Sequence, residues 1–132
     1  MDSWSIKDIK KHYMKKVIVL GASLDSSRYS NMAMKKLKLK DYDIIGIGSR
    51  TGEVVGVPIL TEPILINDIH TVTIYLNPMN QRSYYDYVFE TRPKRVIFNP
   101  GSENKEFEML LDQQQISFEK ACTLVMLSLN QF

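Results

Sequence analysis

This sequence has little cysteine, little histidine and no long apolar run, and each shortage excludes a class of protein. Its single cysteine, Cys122, cannot form an internal disulfide, which argues against a disulfide-stabilised secreted domain. No secretory signal pattern is visible near Met1, and we therefore expect a reducing, cytoplasmic location. The longest nearly apolar segment, 122–129, is interrupted by Thr123 and Ser128. Because a bilayer requires roughly 18 to 20 apolar residues, we expect no membrane-integral protein.

The charge of the chain is almost balanced. With 17 Lys and Arg against 15 Asp and Glu, the formal net charge is +2. This excess is too small to indicate a nucleic-acid partner, and it is compatible with a small anionic or neutral ligand. The 132 residues, 44% of them hydrophobic, suffice for one domain with its own core. We divide the chain into an N-terminal helical extension over 1–15 and a single domain over 16–132.

The stretch over 15–31 organises the rest of the chain. Its sequence, KKVIVLGASLDSSRYSN, predicts a buried strand over 17–20, a sharp turn at Gly21 and then a helix. Glycine at such a turn lets the backbone bend and leaves room for a phosphate against exposed N–H groups, to which the helix N-terminus adds partial positive charge. The sequence therefore predicts the first strand-turn-helix unit of a nucleotide-binding sheet.

Strands alternate with helices along the remaining chain. Apolar or β-branched runs predict strands over 44–48, 70–77 and 95–98 and from Ser117 onward, with a short edge strand within 53–60 that contains Pro58. Helical spacing of apolar residues predicts helices over 27–39 and 80–91 and from Glu103. Such alternation predicts an α/β protein with a Rossmann-like open parallel β-sheet, helices on both faces and a single domain.

Ligands of such sheets bind at the carboxyl ends of the strands. Four predicted strand ends carry small, polar or basic residues, which suit phosphate, amide and ribose groups. They are Gly21, Ala22 and Ser23 after the first strand, Ser49 and Arg50 after the second, Asn77 and Pro78 after the third, and Asn99, Pro100 and Gly101 after the fourth.

Two features of these ends discriminate between nucleotides. The dinucleotide pattern G-x-G-x-x-G would require glycine at 23 and 26, where this chain has Ser23 and Ser26. An NAD site would place an acidic residue after the second strand, where Arg50 stands. A guanidinium there favours a phosphorylated ribose, such as the 3′-phosphate of coenzyme A or the 2′-phosphate of NADP. The alternative is that Arg50 is an exposed loop residue without a ligand.

The motifs VIVLGAS, SSRYSN, FNPGSENKEFE and KACTLVML together resemble the small stand-alone CoA-binding domain family, whose members are similar to the N-terminal domain of the succinyl-CoA synthetase α subunit. The resemblance runs from about Lys16 to Leu127. It implies that Gly21, Ala22 and Ser23 face the pyrophosphate of CoA, with Arg28 nearby. It also implies that Ser49 and Arg50 lie where the family often has a proline and a lysine beside the adenosine phosphate. By the same resemblance Asn77 and Pro78 border the cleft, and Asn99, Pro100 and Gly101 lie where pantetheine passes.

No catalytic group is predicted. His12 and His70 are interpreted as surface or capping residues, and no metal-ligand spacing or P-loop is visible. Cys122 is expected in a buried strand. Three tyrosines between 84 and 87 are expected to pack on a helix face, with stacking on adenine as the alternative.

We therefore expect a protein that binds coenzyme A or an acyl-CoA and has no chemistry of its own. One alternative is an NADP-binding reductase. Another is an interaction module without a ligand on the same fold, and the sequence leaves open a protein partner or a homo-oligomer.

Overall fold

The structure, a computed structural model, describes residues 15–132. The helical extension predicted over 1–15 lies outside them except for Lys15. In chain order the elements are β1 (Lys16–Leu20), α1 (Tyr29–Leu39), β2 (Asp43–Ile47), β3 (Gly52–Val54), β4 (Val57–Leu60), β5 (Ile69–Ile74), α2 (Pro78–Gln81), a 3-10 turn (Arg82–Tyr84), α3 (Tyr85–Thr91), β6 (Arg95–Phe98), α4 (Lys105–Gln113), β7 (Ser117–Lys120) and α5 (Thr123–Ser128).

The seven strands form one sheet with the order β3-β4-β2-β1-β5-β6-β7. Every neighbouring pair is parallel except β3 and β4. The chain leaves β1 through α1 to β2 on one side, and β5 then pairs with the other side of β1. The strand order thus reverses at β1, and a crevice is expected at the carboxyl ends of β1 and β5. The predicted α/β, Rossmann-like open sheet in a single domain is confirmed.

The core lies on both faces of the sheet. Alternate residues of β1 point to opposite faces, so Ile18 and Leu20 pack in one cluster and Val17 and Val19 in the other. The first cluster is covered by residues of α3 and α4, namely Val88, Phe107 and Leu111. The second is covered by residues of α1 and α5, namely Met34, Leu37 and Leu127. Burial on both faces explains why residues 17–20 of β1 are all apolar.

The segment over 53–60 is a hairpin of β3 and β4 rather than one edge strand, and β3 forms the edge of the sheet. The expectation that Pro58 marks an edge strand is therefore wrong. Proline is tolerated in β4 because the pairing with β2 begins only at Ile59, opposite Gly46.

The predicted helix over 80–91 is divided into α2, the 3-10 turn and α3. It begins earlier than predicted because Pro78 occupies the first helical position and the side chain of Asn77 accepts a hydrogen bond from the Asn80 N–H, at 2.9 Å. Pro78 thus ends the extended segment that follows β5 and begins α2.

The final apolar segment forms α5, so the expectation of a buried strand cysteine is wrong. Cys122 is half-buried and immediately precedes the helix. Thr123 and Leu127 are buried while Val125 is exposed, which is the spacing of a helix and not of a strand. Within residues 15–132 no helix is long and apolar enough to span a membrane.

Candidate functional site

A cleft of about 940 Å³ lies at the carboxyl ends of β1, β2 and β5. Eight of the residues predicted to bind a ligand line it: Gly21, Ala22, Ser23, Arg28, Ser49, Arg50, Asn77 and Pro100. Pro78, Asn99 and Gly101 are not part of its lining. The fold therefore brings four separate loops of the sequence to one opening.

The loop after β1 is held tightly against both neighbouring strands. Gly21 has φ of +93°, and a Cβ atom there would lie 3.1 Å from the side chain of Leu76 and from the backbone carbon of Tyr75. The N–H groups of Gly21 and Ala22 both donate to the Ile47 carbonyl oxygen, at 2.8 and 2.9 Å. These two donors are used within the fold, so any N–H donor to a phosphate has to come from Ser23 onward.

The N-terminus of α1 opens on the cleft. Arg28 is the N-cap residue and its side chain makes no capping bond. The N–H groups of Tyr29 and Ser30 make no hydrogen bond within the described part of the chain, and both residues line the cleft. Free N–H groups and the helix dipole together favour an anion at this point.

Asp25 forms the turn that leads into α1. Its carboxylate accepts hydrogen bonds from the Ser27 N–H at 2.9 Å and the Ser27 hydroxyl at 2.7 Å. These bonds, the backbone one first, lower the pKa of Asp25 below its usual value. The Arg28 Nε lies 3.9 Å from the carboxylate, and both side chains are largely exposed. The charged lining of the cleft is thus one carboxylate and the guanidinium groups of Arg28 and Arg50.

The loop after β2 reaches the cleft through Gly48, a residue that the sequence pattern does not distinguish. A Cβ atom on Gly48 would overlap the carbonyl oxygen of Ala22. Ser49 and Arg50 follow as exposed residues. Beside them Leu24 packs over Gly52, where an added Cβ would lie 2.7 Å from Leu24 Cδ2. Leu24 therefore adds apolar surface to the cleft that Ser49 and Arg50 also line.

The loop after β5 contributes Tyr75 and Leu76, which the sequence analysis also missed. The Tyr75 N–H donates to the Leu20 carbonyl oxygen at 2.8 Å. Burial of the Tyr75 hydroxyl raises its pKa to about 12. Gln81 fixes this loop, because its Nε2 donates to the carbonyl oxygens of Leu76 and Ser102 at 2.8 and 2.7 Å. In the sequence, the only indication that Tyr75 and Leu76 line the cleft is that they directly precede Asn77.

Asn99 serves the fold beneath the cleft. It is 2% exposed. Its Nδ2 donates to Thr73 Oγ1 at 2.6 Å and to the Ile74 carbonyl oxygen at 2.9 Å, and its Oδ1 accepts from the Thr123 N–H at 2.9 Å. These bonds join β6 to β5 and to the start of α5. Gly101 lies in an exposed turn with φ of +93°, and Pro78 occupies the first position of α2.

The three neighbouring tyrosines do not share one role. Tyr84 lines the cleft, Tyr85 packs against Phe107 with ring centroids 4.2 Å apart, and the buried Tyr87 donates its hydroxyl to the Ile64 carbonyl oxygen at 2.7 Å. Only Tyr84 is therefore positioned to meet a ligand in this cleft.

The described residues hold no group of three His, Cys, Asp or Glu side chains suited to a metal ion. His70 lies near the amino end of β5, away from the cleft. Burial, together with Lys15, Arg95 and Lys94, lowers its pKa to about 4. His12 lies outside the described residues.

The sequence matches the model of the family described as CoA binding domain over residues 15–128. This chain belongs to the CoA binding domain family. The match covers every loop that lines the cleft, so the cleft and the family match concern the same part of the chain.

Solved structures support the same fold. The crystal structure of an uncharacterized protein is similar to this chain, with 45% sequence identity and a TM-score of 0.87, and the similarity covers 90% of this chain and 98% of that one. A conserved hypothetical protein from Pyrococcus furiosus is 21% identical, with a TM-score of 0.76 and coverage of 85% and 98%. The dinucleotide-forming acetyl-coenzyme A synthetase 1 of Ca. Korarchaeum cryptofilum, solved with phosphate and ADP, is 15% identical, with a TM-score of 0.63, and the similarity covers 83% of this chain but 25% of that one. No curated protein matches the sequence.

Proposed function

We propose that this protein binds coenzyme A or an acyl-CoA in the cleft at the ends of β1, β2 and β5, and that it has no chemistry of its own. The observation that carries the proposal is the N-terminus of α1 in a chain of the CoA binding domain family: Tyr29 and Ser30 line an open cleft, and their N–H groups have no partner within residues 15–132. An anionic ligand is favoured at such a helix end.

The pyrophosphate is proposed to lie over the Gly21–Ser23 loop and the start of α1. Gly21 and Ala22 keep the loop close to β2 through Ile47, and this leaves the N–H groups of Ser23 and the helix for phosphate oxygens. Arg28 supports the proposal because its only charged partner within residues 15–132 is Asp25 at 3.9 Å, and both side chains are largely exposed. Such a loose pair costs little to rearrange around a phosphate.

The adenosine phosphate is proposed to meet Ser49 and Arg50. Both residues are exposed at the cleft and Arg50 forms no salt bridge within the described chain. A guanidinium can hold a phosphate by two parallel hydrogen bonds. The neighbouring Leu24 offers apolar surface for a base.

The pantetheine arm is proposed to leave between the loops after β5 and β6. Asn77 and Pro100 line that part of the cleft. Pro78, Asn99 and Gly101 would support these two loops from outside the lining. The ligand-free interaction module is less favoured because a cleft of about 940 Å³ is open rather than filled by side chains. The single cysteine supports a reducing location, and we propose the cytoplasm.

Thermal unfolding of the purified protein with CoA, dephospho-CoA, acetyl-CoA, NADP and NAD, each in large excess, tests the proposal. A ligand that binds only the folded protein at 100 times its Kd adds about 2.7 kcal/mol to the free energy of unfolding, which is visible as a higher midpoint. We expect the largest rise with CoA or acetyl-CoA and a smaller rise with dephospho-CoA. A rise with NADP alone would favour the reductase alternative, and no rise with any ligand would overturn the proposal.

A further inference from the structure

Asn31 in the first turns of α1 stands out as a buried polar residue with an incomplete set of partners. It is 2% exposed. Its Nδ2 donates to the Ser23 carbonyl oxygen at 2.9 Å, whereas its Oδ1 is buried and accepts no hydrogen bond from residues 15–132. The opposite amide orientation would set Oδ1 against the Ser23 oxygen, so the observed orientation is the one that this contact requires.

A buried acceptor without a donor lowers stability, and an apolar side chain of the same size would avoid that penalty. Packing alone therefore does not explain asparagine at this position, since its neighbours Ala33 and Met34 on α1 show that an apolar residue fits the buried face. The hydrogen bond to Ser23 is the one interaction left that explains an asparagine at this position. Loss of stability in exchange for a fixed geometry is typical of a binding site.

The bond to Ser23 also determines the direction of the next donor. In a trans peptide the C=O of one residue and the N–H of the following residue point in opposite directions. The chain has no cis peptide bond among its described residues. With the Ser23 oxygen turned to Asn31, the Leu24 N–H points away from Asn31, and this N–H has no partner within the described chain. Ser23 and Leu24 both line the cleft.

From this geometry we infer that Asn31 is a positioning residue, which holds the Ser23–Leu24 peptide so that the Leu24 N–H serves as a phosphate donor in the cleft. The inference rests on the proposed function. Asn31 does not line the cleft itself, so it acts through the loop and not by touching the ligand. The group it serves is the pyrophosphate, which CoA, dephospho-CoA and ADP share.

Calorimetric titration of CoA, dephospho-CoA and ADP into the wild-type protein and Asn31→Leu tests the inference at a temperature where both are folded. We expect Asn31→Leu to bind all three about tenfold more weakly, because a charge-assisted donor is no longer held in place. We expect its unfolding midpoint to stay level or rise, because the unpartnered acceptor is gone. The matched control is Met34→Leu, which changes the same buried face of α1 and should leave each Kd within about twofold of the wild type.

Wild-type binding of CoA combined with an unchanged Kd in Asn31→Leu would overturn the inference and leave the proposed function standing. A loss of affinity for CoA alone would also overturn the inference, because that result would indicate a contact with the ribose phosphate and not with the pyrophosphate. Failure of the wild type to bind any of the three would instead reject the proposed function.

If Asn31→Leu does not fold, the backbone amide resonances of the wild type decide the matter on addition of ADP. A shift of the Leu24 amide signal is expected. A Leu24 signal that stays fixed while those of Tyr29 and Ser30 move would overturn the inference.

Discussion

Gly48 and Ala22 are in such close contact that no side chain can be added between them. A Cβ atom on Gly48 would overlap the Ala22 carbonyl oxygen, while the Ala22 N–H donates to the oxygen of Ile47, the residue before Gly48. The loop after β1 is thus fixed directly on the end of β2. This contact brings the two loops proposed for pyrophosphate and adenosine phosphate to the same side of the cleft.

Substitution of Gly48 should therefore affect both stability and binding. We expect Gly48→Ala to lower the free energy of unfolding by about 3 kcal/mol, because backbone has to move to admit the methyl group. It should also weaken CoA binding, since the loop after β1 moves. Gly56→Ala is the matched control: it has φ of +81° but open space around it, and we expect it to cost about 1 kcal/mol. Urea unfolding measures the stability of both variants. Equal losses of stability in Gly48→Ala and Gly56→Ala would contradict the close contact between Gly48 and Ala22.

Substitution of Asn99 should lower the stability of the folded protein. Asn99→Ala leaves the Thr123 N–H and the Ile74 carbonyl oxygen without their side-chain partner, and we expect a loss of about 2 to 4 kcal/mol in urea unfolding. An unchanged unfolding midpoint would show that these buried bonds contribute nothing, against this account of the loop after β6.

His70 should make the protein less stable in mild acid. Its pKa of about 4 in the folded protein lies below the ordinary histidine value of 6.5, so between these values the unfolded chain binds a proton that the folded chain does not. Stability therefore falls as the pH drops from 6.5 towards 4. Because the ring is partly exposed, we expect about 1 kcal/mol rather than the full value implied by the shift. The difference between wild type and His70→Asn in urea unfolding at pH 7.5 and pH 4.5 isolates this residue, and a pH-independent difference would contradict the prediction.

Asp25 should oppose the binding of an anion. Asp25→Asn retains an oxygen for the Ser27 donors but removes the negative charge from the cleft and from beside Arg28. We expect CoA to bind about twofold to threefold more tightly at low salt, with the gain reduced at high salt by screening. Asp112→Asn, an exposed change on α4 outside the cleft, serves as the control in calorimetric titrations. Weaker binding by Asp25→Asn would show that its carboxylate does not face the phosphates.

The sheet could be predicted from the sequence because its signals are local. The run over 17–20 is apolar at every position, and a strand buried on both faces requires that. Strand ends could also be located, because glycine, asparagine and proline follow them. The hairpin of β3 and β4 could not be predicted, because strands of three and four residues are too short to show a periodic pattern.

The site could be predicted only as far as the positions of the loops. Rotamers and long-range contacts determine which side chains enter the cleft. The periodicity of the sequence carries no information about either. Asn99 follows a strand end as Asn77 does, yet its side chain bonds to Thr73 and Thr123 beneath the cleft. Gly48 and Asn31 were missed because their importance comes from contacts with Ala22 and Ser23 in the loop after β1, and neither contact is between neighbours in the sequence.

The most direct measurement of the central claim is calorimetric titration of CoA and dephospho-CoA into the wild type, Arg50→Ala and Arg82→Ala. Arg82 is a matched arginine, 70% exposed, paired with Glu106 and outside the cleft lining. We expect the wild type to prefer CoA over dephospho-CoA, and Arg50→Ala to lose about tenfold in affinity for CoA but no more than about twofold for dephospho-CoA. Arg82→Ala should match the wild type. No binding of CoA by the wild type would contradict the proposed function, and equal losses of both ligands in Arg50→Ala would contradict the role of Arg50 at the 3′-phosphate.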